Sequence, residues 1–158
     1  MRDGRCEIVV CHLPVADPGT LRVTTLGAHE YWVVYPAGSD LPDADPLPLS
    51  ALPDIPLVAV PRDGPQVGRF ETTIAAAGRR IPPAAIVQHR EARLAFVEAG
   101  LGGTFLERAA AETARRRGMV VRATDPAFRL EYGLLYDESA LSPAGRALVT
   151  LAESARPR

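Results

Sequence analysis

The sequence predicts an α/β fold with a largely parallel sheet. Short runs of β-branched and aromatic residues recur along the chain, and segments with apolar residues at helical spacing lie between them. Glycines and prolines separate these segments. Strands that alternate with helices are typical of a parallel sheet covered by helices. With 158 residues, 47% of them hydrophobic, the chain is long enough to form about one domain with its own core.

The strand candidates differ in how deeply they are expected to be buried. Residues 21–26 alternate between apolar and polar side chains, as a half-buried strand does, whereas residues 31–35 are aromatic or β-branched throughout and are expected to be buried on both faces. Further strands are predicted at residues 7–10, 55–60, 86–88, 103–106, 120–122 and 132–136.

Four helices are predicted, and three of them end at a glycine. Residues 67–77, 92–99 and 107–117 are followed by Gly78, Gly100 and Gly118, where a helix stop belongs. The fourth helix begins with Ser142 as its N-cap and Pro143 in its first turn. Its Leu148 and Leu151 are expected on one apolar face.

Composition excludes several classes of protein. The net charge is −1, so there is no general basic field to hold a nucleic acid backbone. No apolar run approaches the roughly 20 residues of a membrane-spanning helix, and the amino terminus does not resemble a signal peptide. We therefore expect a soluble, cytoplasmic protein without membrane contacts. Cys6 and Cys11 match no zinc or redox spacing and are expected to be reduced.

Two predicted strand-to-helix loops are candidates for anion binding. Residues 61–66 precede the first helix, and Gln88, His89 and Arg90 precede the second. Amide N–H groups at a helix amino terminus attract anions, and Arg62 and Arg90 would add positive charge. Two such sites facing each other would form a carboxylate-binding cleft; the alternative is that both are ordinary connecting loops.

The remaining polar residues predict no catalytic, metal or cofactor site. His12, His29 and His89 have no partners at ligand spacing, and no nucleophile elbow is present. His12 is the most interesting of the three because it ends a strand, where α/β proteins place ligand contacts. Residues 100–103 (GLGG) follow a helix and enter a strand, which indicates a tight turn rather than a phosphate loop.

Several segments resemble the effector-binding (substrate-binding) domain of LysR-type transcriptional regulators. Residues 98–106 (EAGLGGTFL) are similar to the glycine-containing signature of that family, although Glu107 stands where proline is usual. Residues 141–147 (LSPAGRA) resemble its last helix. Residues 2–10 resemble an early strand with its preceding turn, and residues 26–38 resemble a crossing segment.

The resemblance implies two Rossmann-like subdomains of the periplasmic-binding-protein type II fold. Residues 27–129 would form subdomain II, and residues 1–26 with 130–158 an incomplete subdomain I that lacks the opening β-α-β unit. Transferred residue by residue, the ligand contacts in the cleft between subdomains would be His12, Pro65, Gln66, Val67, Gln88, His89, Arg90 and Glu131. Glu131 is indicated by the resemblance alone.

The function implied is ligand sensing without catalysis. The chain would bind a small metabolite, with a carboxylate as the favoured class, and would act on DNA only through a winged helix-turn-helix that is not among these residues. We also expect a homo-oligomer that associates through the helix at 67–77, because the family packs that helix against one that has no counterpart here. The alternative is a standalone enzyme or accessory protein that has reused the fold; a periplasmic binding protein is disfavoured because no signal peptide is recognised.

Overall fold

The computed structural model describes residues 6–61 and 65–155, and at residues 65–68 it describes the backbone only. The described residues form two compact units. The first unit contains the residues up to His29 and those from Leu130 onward, and the second unit contains Glu30–Arg129. Strands β2 and β9 each contain residues of both units. The assignment of these stretches to effector subdomains stays a prediction.

Strands and helices alternate along most of the chain, which confirms the α/β class. The strands are β1 (Ile8–His12), β2 (Arg22–Tyr35), β3 (Leu47–Pro48), β4 (Leu57–Ala59), β5 (Pro83–Ile86), β6 (Thr104–Glu107), β7 (Val120–Arg122), β8 (Thr124–Asp125) and β9 (Phe128–Tyr136). The helices are α1 (Pro65–Ala76), α2 (Arg90–Glu98), α3 (Arg108–Arg116) and α4 (Pro143–Ser154), with 3₁₀ turns at Leu49–Ala51 and Glu138–Ala140. Each of the four predicted helices is present.

The prediction of a largely parallel sheet is wrong. The main sheet has the order β1-β9-β2-β6, with β7 also paired to β2, and the β1–β9, β2–β6 and β2–β7 pairs are antiparallel. The short β3–β8 and β4–β5 pairs are parallel, as is an isolated bridge between Leu57 and Gly103. The simple alternation of strand and helix fails at the two ends of the chain, where β1 is followed directly by β2, a single strand of 14 residues, and pairs with the late strand β9. Residue patterns indicated where strands form but not the direction of their partners.

Three glycines end α1, α2 and α3 as predicted. Gly78, Gly100 and Gly118 have φ angles of 74°, 80° and 87°, in the left-handed region that favours glycine. After α2, the N–H of Leu101 donates to the carbonyl of Phe96 at 3.1 Å, which satisfies a helix-end acceptor. These stops place the following strands β6 and β7 back in the sheet beside β2.

Each unit has its own apolar core. In the second unit Val34 of β2, Val58 of β4 and Val97 of α2 pack with Leu106, Ala114 and Val121. Tyr31–Tyr35 is mostly buried, as predicted for this stretch. In the first unit Leu134, Tyr136, Leu141 and Val149 pack together.

Helix α4 begins as predicted, but its predicted apolar face is not the buried one. Ser142 is the N-cap, and its Oγ accepts a hydrogen bond from the N–H of Gly145 at 3.1 Å. Val149 faces the core, whereas Leu148 and Leu151 are 49% and 64% exposed. Helical spacing placed the two leucines together, but it did not indicate which stripe meets the sheet.

Candidate functional site

The first predicted anion site lies at the start of α1. This helix begins at Pro65, which suits the first helical position because proline has no N–H to satisfy. The side chains of Pro65, Gln66 and Val67, and the whole of Arg62, lie outside the described residues. Their predicted role as ligand contacts therefore stays a prediction.

The second predicted site lies at the start of α2. His89 is the N-cap residue in an extended conformation, and its side chain makes no capping hydrogen bond. Gln88, His89 and Arg90 are all exposed. The arrangement presents a helix amino terminus with polar side chains to solvent, which is the geometry expected of an anion site.

The charge at this helix start is already partly balanced inside the protein. Arg90 donates hydrogen bonds to Glu91 Oε1 and Glu107 Oε2, each at 3.1 Å. The carboxylate of Glu91 accepts its own backbone N–H and the Arg90 guanidinium, and both lower its pKa. Arg90 is therefore already paired with two carboxylates of the protein and is not free to pair with a ligand. Sequence spacing could have suggested the Glu91 contact but not the contact with Glu107.

His12 and Glu131 lie close together in the first unit. His12 ends β1 and is paired with Tyr132 of β9, and the N–H of Leu13 donates to the carbonyl of Glu131 at 2.8 Å. Glu131 is exposed and His12 is half-buried. The two predicted contacts of this unit are therefore neighbours at the same strand end.

Two further rings accompany His12, and the sequence reasoning did not assign them a role. His29 stacks on Tyr132 with ring centroids 4.2 Å apart, and the His12 and His29 rings are 6.4 Å apart. Gly27 lies beside this stack, and a Cβ there would be in van der Waals contact with the Tyr132 ring at 3.4 Å. The pairing of β1 with β9 brings these rings together, and that pairing was not predicted.

Sequence reasoning also missed a cavity of about 650 Å³ within the second unit. Its walls come from β4, α1, β5 and β6, with Arg93 of α2 and the segment after α1. Of the predicted ligand residues that are described, none lines it. The elements that form the cavity are far apart in sequence, so no spacing rule pointed to it.

The described residues hold no group of three His, Cys, Asp or Glu side chains arranged to bind a metal ion. Cys6 and Cys11 are both free, and burial raises the pKa of the Cys11 thiol. Within the described part of the chain, every helix is too short or too polar to cross a bilayer.

Solved structures of regulatory domains share this fold. The effector-binding domain of QuiR in complex with shikimate matches with a TM-score of 0.84 at 15% identity, over 97% of this chain and 73% of that one. The CcmR regulatory domain of Synechocystis PCC6803 in complex with 2-PG matches with a TM-score of 0.82 at 11% identity, over 98% and 75%. The C-terminal domain of a probable LysR family regulator from Rhodococcus sp. RHA1 matches with a TM-score of 0.76 at 22% identity, over 96% and 76%.

These likenesses confirm the predicted fold, a mixed α/β structure of the periplasmic-binding-protein type II kind with a curled sheet. No curated protein sequence is significantly similar to the chain. The LysR substrate binding domain family, however, matches residues 1–156, which is nearly the whole sequence. The chain therefore belongs to the LysR substrate binding domain family.

Proposed function

We propose that this chain is the ligand-sensing module of a bacterial LysR-type regulator and that it catalyses no reaction itself. Its membership of the family over residues 1–156 carries the proposal. QuiR and CcmR domains of the same fold were solved with shikimate and 2-PG, which supports binding of a small polar metabolite. The whole regulator would act in the cytoplasm.

The proposed ligand is a small carboxylate that contacts Gln88 and His89. These residues flank the first turn of α2, whose N–H groups lack acceptors inside the helix. A carboxylate held by such amides and one polar side chain gains charge-assisted hydrogen bonds of about 1.5–3 kcal/mol each. His12, Glu131 and the residues 65–67 stay predicted ligand contacts.

Amide NMR during a titration with malonate tests this proposal, with neutral malonamide as the matched ligand. We expect malonate to shift the amides of residues 88–93 and malonamide to leave them in place. The variants Gln88→Ala and His89→Ala should weaken malonate binding, whereas Arg117→Ala, at the far end of α3, should not. Shifts confined to other parts of the chain would contradict the proposed placement.

DNA recognition by the whole regulator would require a helix-turn-helix in addition to these 158 residues. The chain carries 18 basic and 19 acidic residues, so it offers no excess of charge to a phosphate backbone. We expect the isolated chain to show no sequence-specific gel shift with duplex DNA. A specific, salt-sensitive gel shift would contradict the proposal that these 158 residues do not recognise DNA themselves.

Self-association is proposed through the exposed face of α4, and the predicted association through the helix at 67–77 stays a prediction. The described side chains that α1 exposes are polar or small: Arg69, Glu71, Thr72, Ala75 and Ala76. Helix α4 exposes Leu148 and Leu151, three residues apart and so on one face. Light scattering at high concentration should show association that Leu148→Glu with Leu151→Glu abolishes. A monomer before substitution would refute the proposal.

A further inference from the structure

We propose that the cavity inside the second unit is a binding site for an organic anion with an aromatic body, such as an aromatic carboxylate. The site is separate from the start of α2, because none of Gln88, His89 and Arg90 lines it. The inference does not rest on the function proposed above. It would give the chain a second ligand, which is largely apolar, whereas the small carboxylate proposed at the start of α2 is polar.

The size of the cavity is that of a ligand site. A volume of about 650 Å³ lies within the range of small-molecule sites, roughly 300–1,000 Å³. Its walls include Leu57, Val58, Phe70, Ile74, Ile86 and Phe105, all of them apolar.

Aromatic rings at one wall favour an aromatic ligand. Phe70 of α1 lies 5.0 Å from Phe105 of β6 and stacks on Phe128 of β9 at 4.1 Å, measured between ring centroids. The Tyr31 ring packs edge-on against Phe70 at 5.5 Å. Of these four rings, those of Phe70 and Phe105 line the cavity, so a planar ligand ring would pack against these two in stacked or edge-on geometry.

The charged residues on the wall favour an anion. Among the described residues, three arginines line the cavity, Arg79, Arg80 and Arg93, against one acidic residue, Glu71. Arg79 is paired with Asp54, so part of this charge is balanced. Arg93 has no ion pair among the described residues, and its Nη1 donates only to the backbone carbonyl of Phe105 at 3.1 Å. The wall therefore has an excess of positive charge.

Arg93 is the group that a ligand carboxylate would satisfy. Arg93 lines the cavity, and because its Nε is enclosed by protein atoms, a ligand would contact the terminal nitrogens of its guanidinium. Burial lowers the pKa of Arg93, which reflects the cost of a charged group removed from water. The negative charge of Glu107 acts in the opposite direction and raises the pKa of Arg93, and a ligand carboxylate on the guanidinium would add to that stabilisation. Arg93 would hold the anionic end of the ligand, while the aromatic wall would hold its body.

Calorimetric titration with 1-naphthoate tests the site, with the neutral 1-naphthamide as matched ligand. We expect the chain to bind one 1-naphthoate and to bind the amide roughly tenfold more weakly, because the amide cannot form a charge-assisted pair with arginine. No binding of 1-naphthoate, or equal affinity for the two ligands, would overturn the proposal.

Two variants and one control locate the binding. Arg93→Met should weaken 1-naphthoate binding by roughly tenfold and leave 1-naphthamide binding unchanged, since only the charge is lost. Ala75→Phe should block both ligands by filling the cavity from an exposed position on α1. Arg117→Met, at the far end of α3 and outside both the cavity and the start of α2, should change neither affinity.

The outcomes separate this site from the proposed carboxylate site. If Arg90→Met weakens 1-naphthoate binding and Ala75→Phe does not, the ligand binds at the start of α2 and the cavity proposal is wrong. If Arg93→Met fails to fold, as judged by circular dichroism, the 1-naphthoate affinity of the Ala75→Phe variant tests the cavity site by itself. Unchanged 1-naphthoate affinity in a folded Ala75→Phe variant refutes the site, whereas its loss there supports the site whatever happens with malonate.

Discussion

Arg90 and Glu107 form an ion pair with Nη1 and Oε2 3.1 Å apart, which joins the start of α2 to the end of β6. Their side chains are 50% and 30% exposed, so the pair is only partly screened by water. The other oxygen of Glu107 accepts the Tyr31 hydroxyl at 3.2 Å from the neighbouring strand β2. Glu107 therefore places a second carboxylate beside the candidate anion site.

Replacing Glu107 should strengthen anion binding at the start of α2. Glu107→Gln leaves Arg90 with Glu91 alone as its carboxylate partner and keeps an oxygen for the Tyr31 hydroxyl. Since exposed charge pairs contribute about 0.2–1 kcal/mol, we expect malonate affinity to rise by roughly 1.5- to 5-fold. Amide NMR titration measures the change.

The control for this substitution is a similar ion pair elsewhere in the second unit. Glu98 and Arg117 are also 3.1 Å apart and join the ends of α2 and α3. Glu98→Gln removes a carboxylate of the same chemistry without changing the charge beside Arg90. Equal gains in malonate affinity for both variants would point to net charge rather than to Arg90.

The local elements could be predicted from the sequence because their signals are local. Gly100 ends α2 and Ser142 caps α4, each through contacts within a few residues. The strand predicted at 86–88 lies instead at Pro83–Ile86, because a proline can occupy the first position of a strand. Boundaries of this kind depend on hydrogen bonds to another strand.

The candidate sites could be predicted only in part because long-range pairing builds them. Arg90 could be identified as a cation at a helix start, but its partner Glu107 is 17 residues away and reaches it through the packing of β6 against α2. The cavity joins Leu57, Ile74 and Arg93 from three elements. No pattern in one segment carries that information, since the packing decides which side chains face each other.

Stability at acid pH should depend on Glu7. Its Oε2 accepts the backbone N–H of Ser142 at 3.1 Å and the Ser142 hydroxyl at 2.8 Å, and these hydrogen bonds lower the pKa of Glu7, with Arg146 adding attraction. A carboxyl whose pKa is lower in the folded state contributes stability above its unfolded pKa and loses it as pH falls through the folded value. Glu7→Gln should therefore destabilise the chain at neutral pH and have little effect at strongly acid pH.

Urea unfolding across that pH range measures the contribution of Glu7. The difference in unfolding free energy between the wild-type chain and Glu7→Gln should shrink steadily as the pH falls below about 4.5, the ordinary value for glutamate. Glu153→Gln, which changes an exposed carboxylate of α4, is the control and should follow the wild-type curve. A pH-independent difference for Glu7→Gln would mean that the charge of Glu7 has no role.

Removing the hydroxyl of Tyr35 should not destabilise the protein. Tyr35 is fully buried, and its hydroxyl has no hydrogen-bond partner among the described residues. Because an unsatisfied buried polar group costs about 1–3 kcal/mol, Tyr35→Phe should be neutral or stabilising. Tyr31→Phe removes a hydroxyl that donates a hydrogen bond to Glu107 and should lower the free energy of unfolding by about 0.5–1.5 kcal/mol. Urea unfolding of both variants checks the contrast, and a larger loss for Tyr35→Phe than for Tyr31→Phe would contradict it.

Gly103 should tolerate no side chain, because the ring of Tyr35 occupies the space. A Cβ at Gly103 would lie 2.4 Å from Tyr35 Cε1 and 2.5 Å from Cδ1. The backbone cannot easily move away, since the Gly103 carbonyl accepts the N–H of Val58 at 2.6 Å and its N–H donates to Pro56 at 2.9 Å. Gly103→Ala should therefore cost about 1–3 kcal/mol, the usual range for overpacking. Urea unfolding measures this loss.

A double variant distinguishes this clash from a backbone effect. Tyr35→Leu removes the ring, so the loss caused by Gly103→Ala should be smaller in that background than in the wild-type chain, with a coupling of about 0.5–3 kcal/mol expected for contacting residues. Gly118→Ala provides the comparison, because Gly118 has a φ of +87° and nothing within 4 Å of the new Cβ. Its cost of about 1–2 kcal/mol should come from backbone strain alone and stay the same with or without the Tyr35 ring. Additive losses for Gly103→Ala and Tyr35→Leu would show that the ring does not set the requirement for glycine at this position.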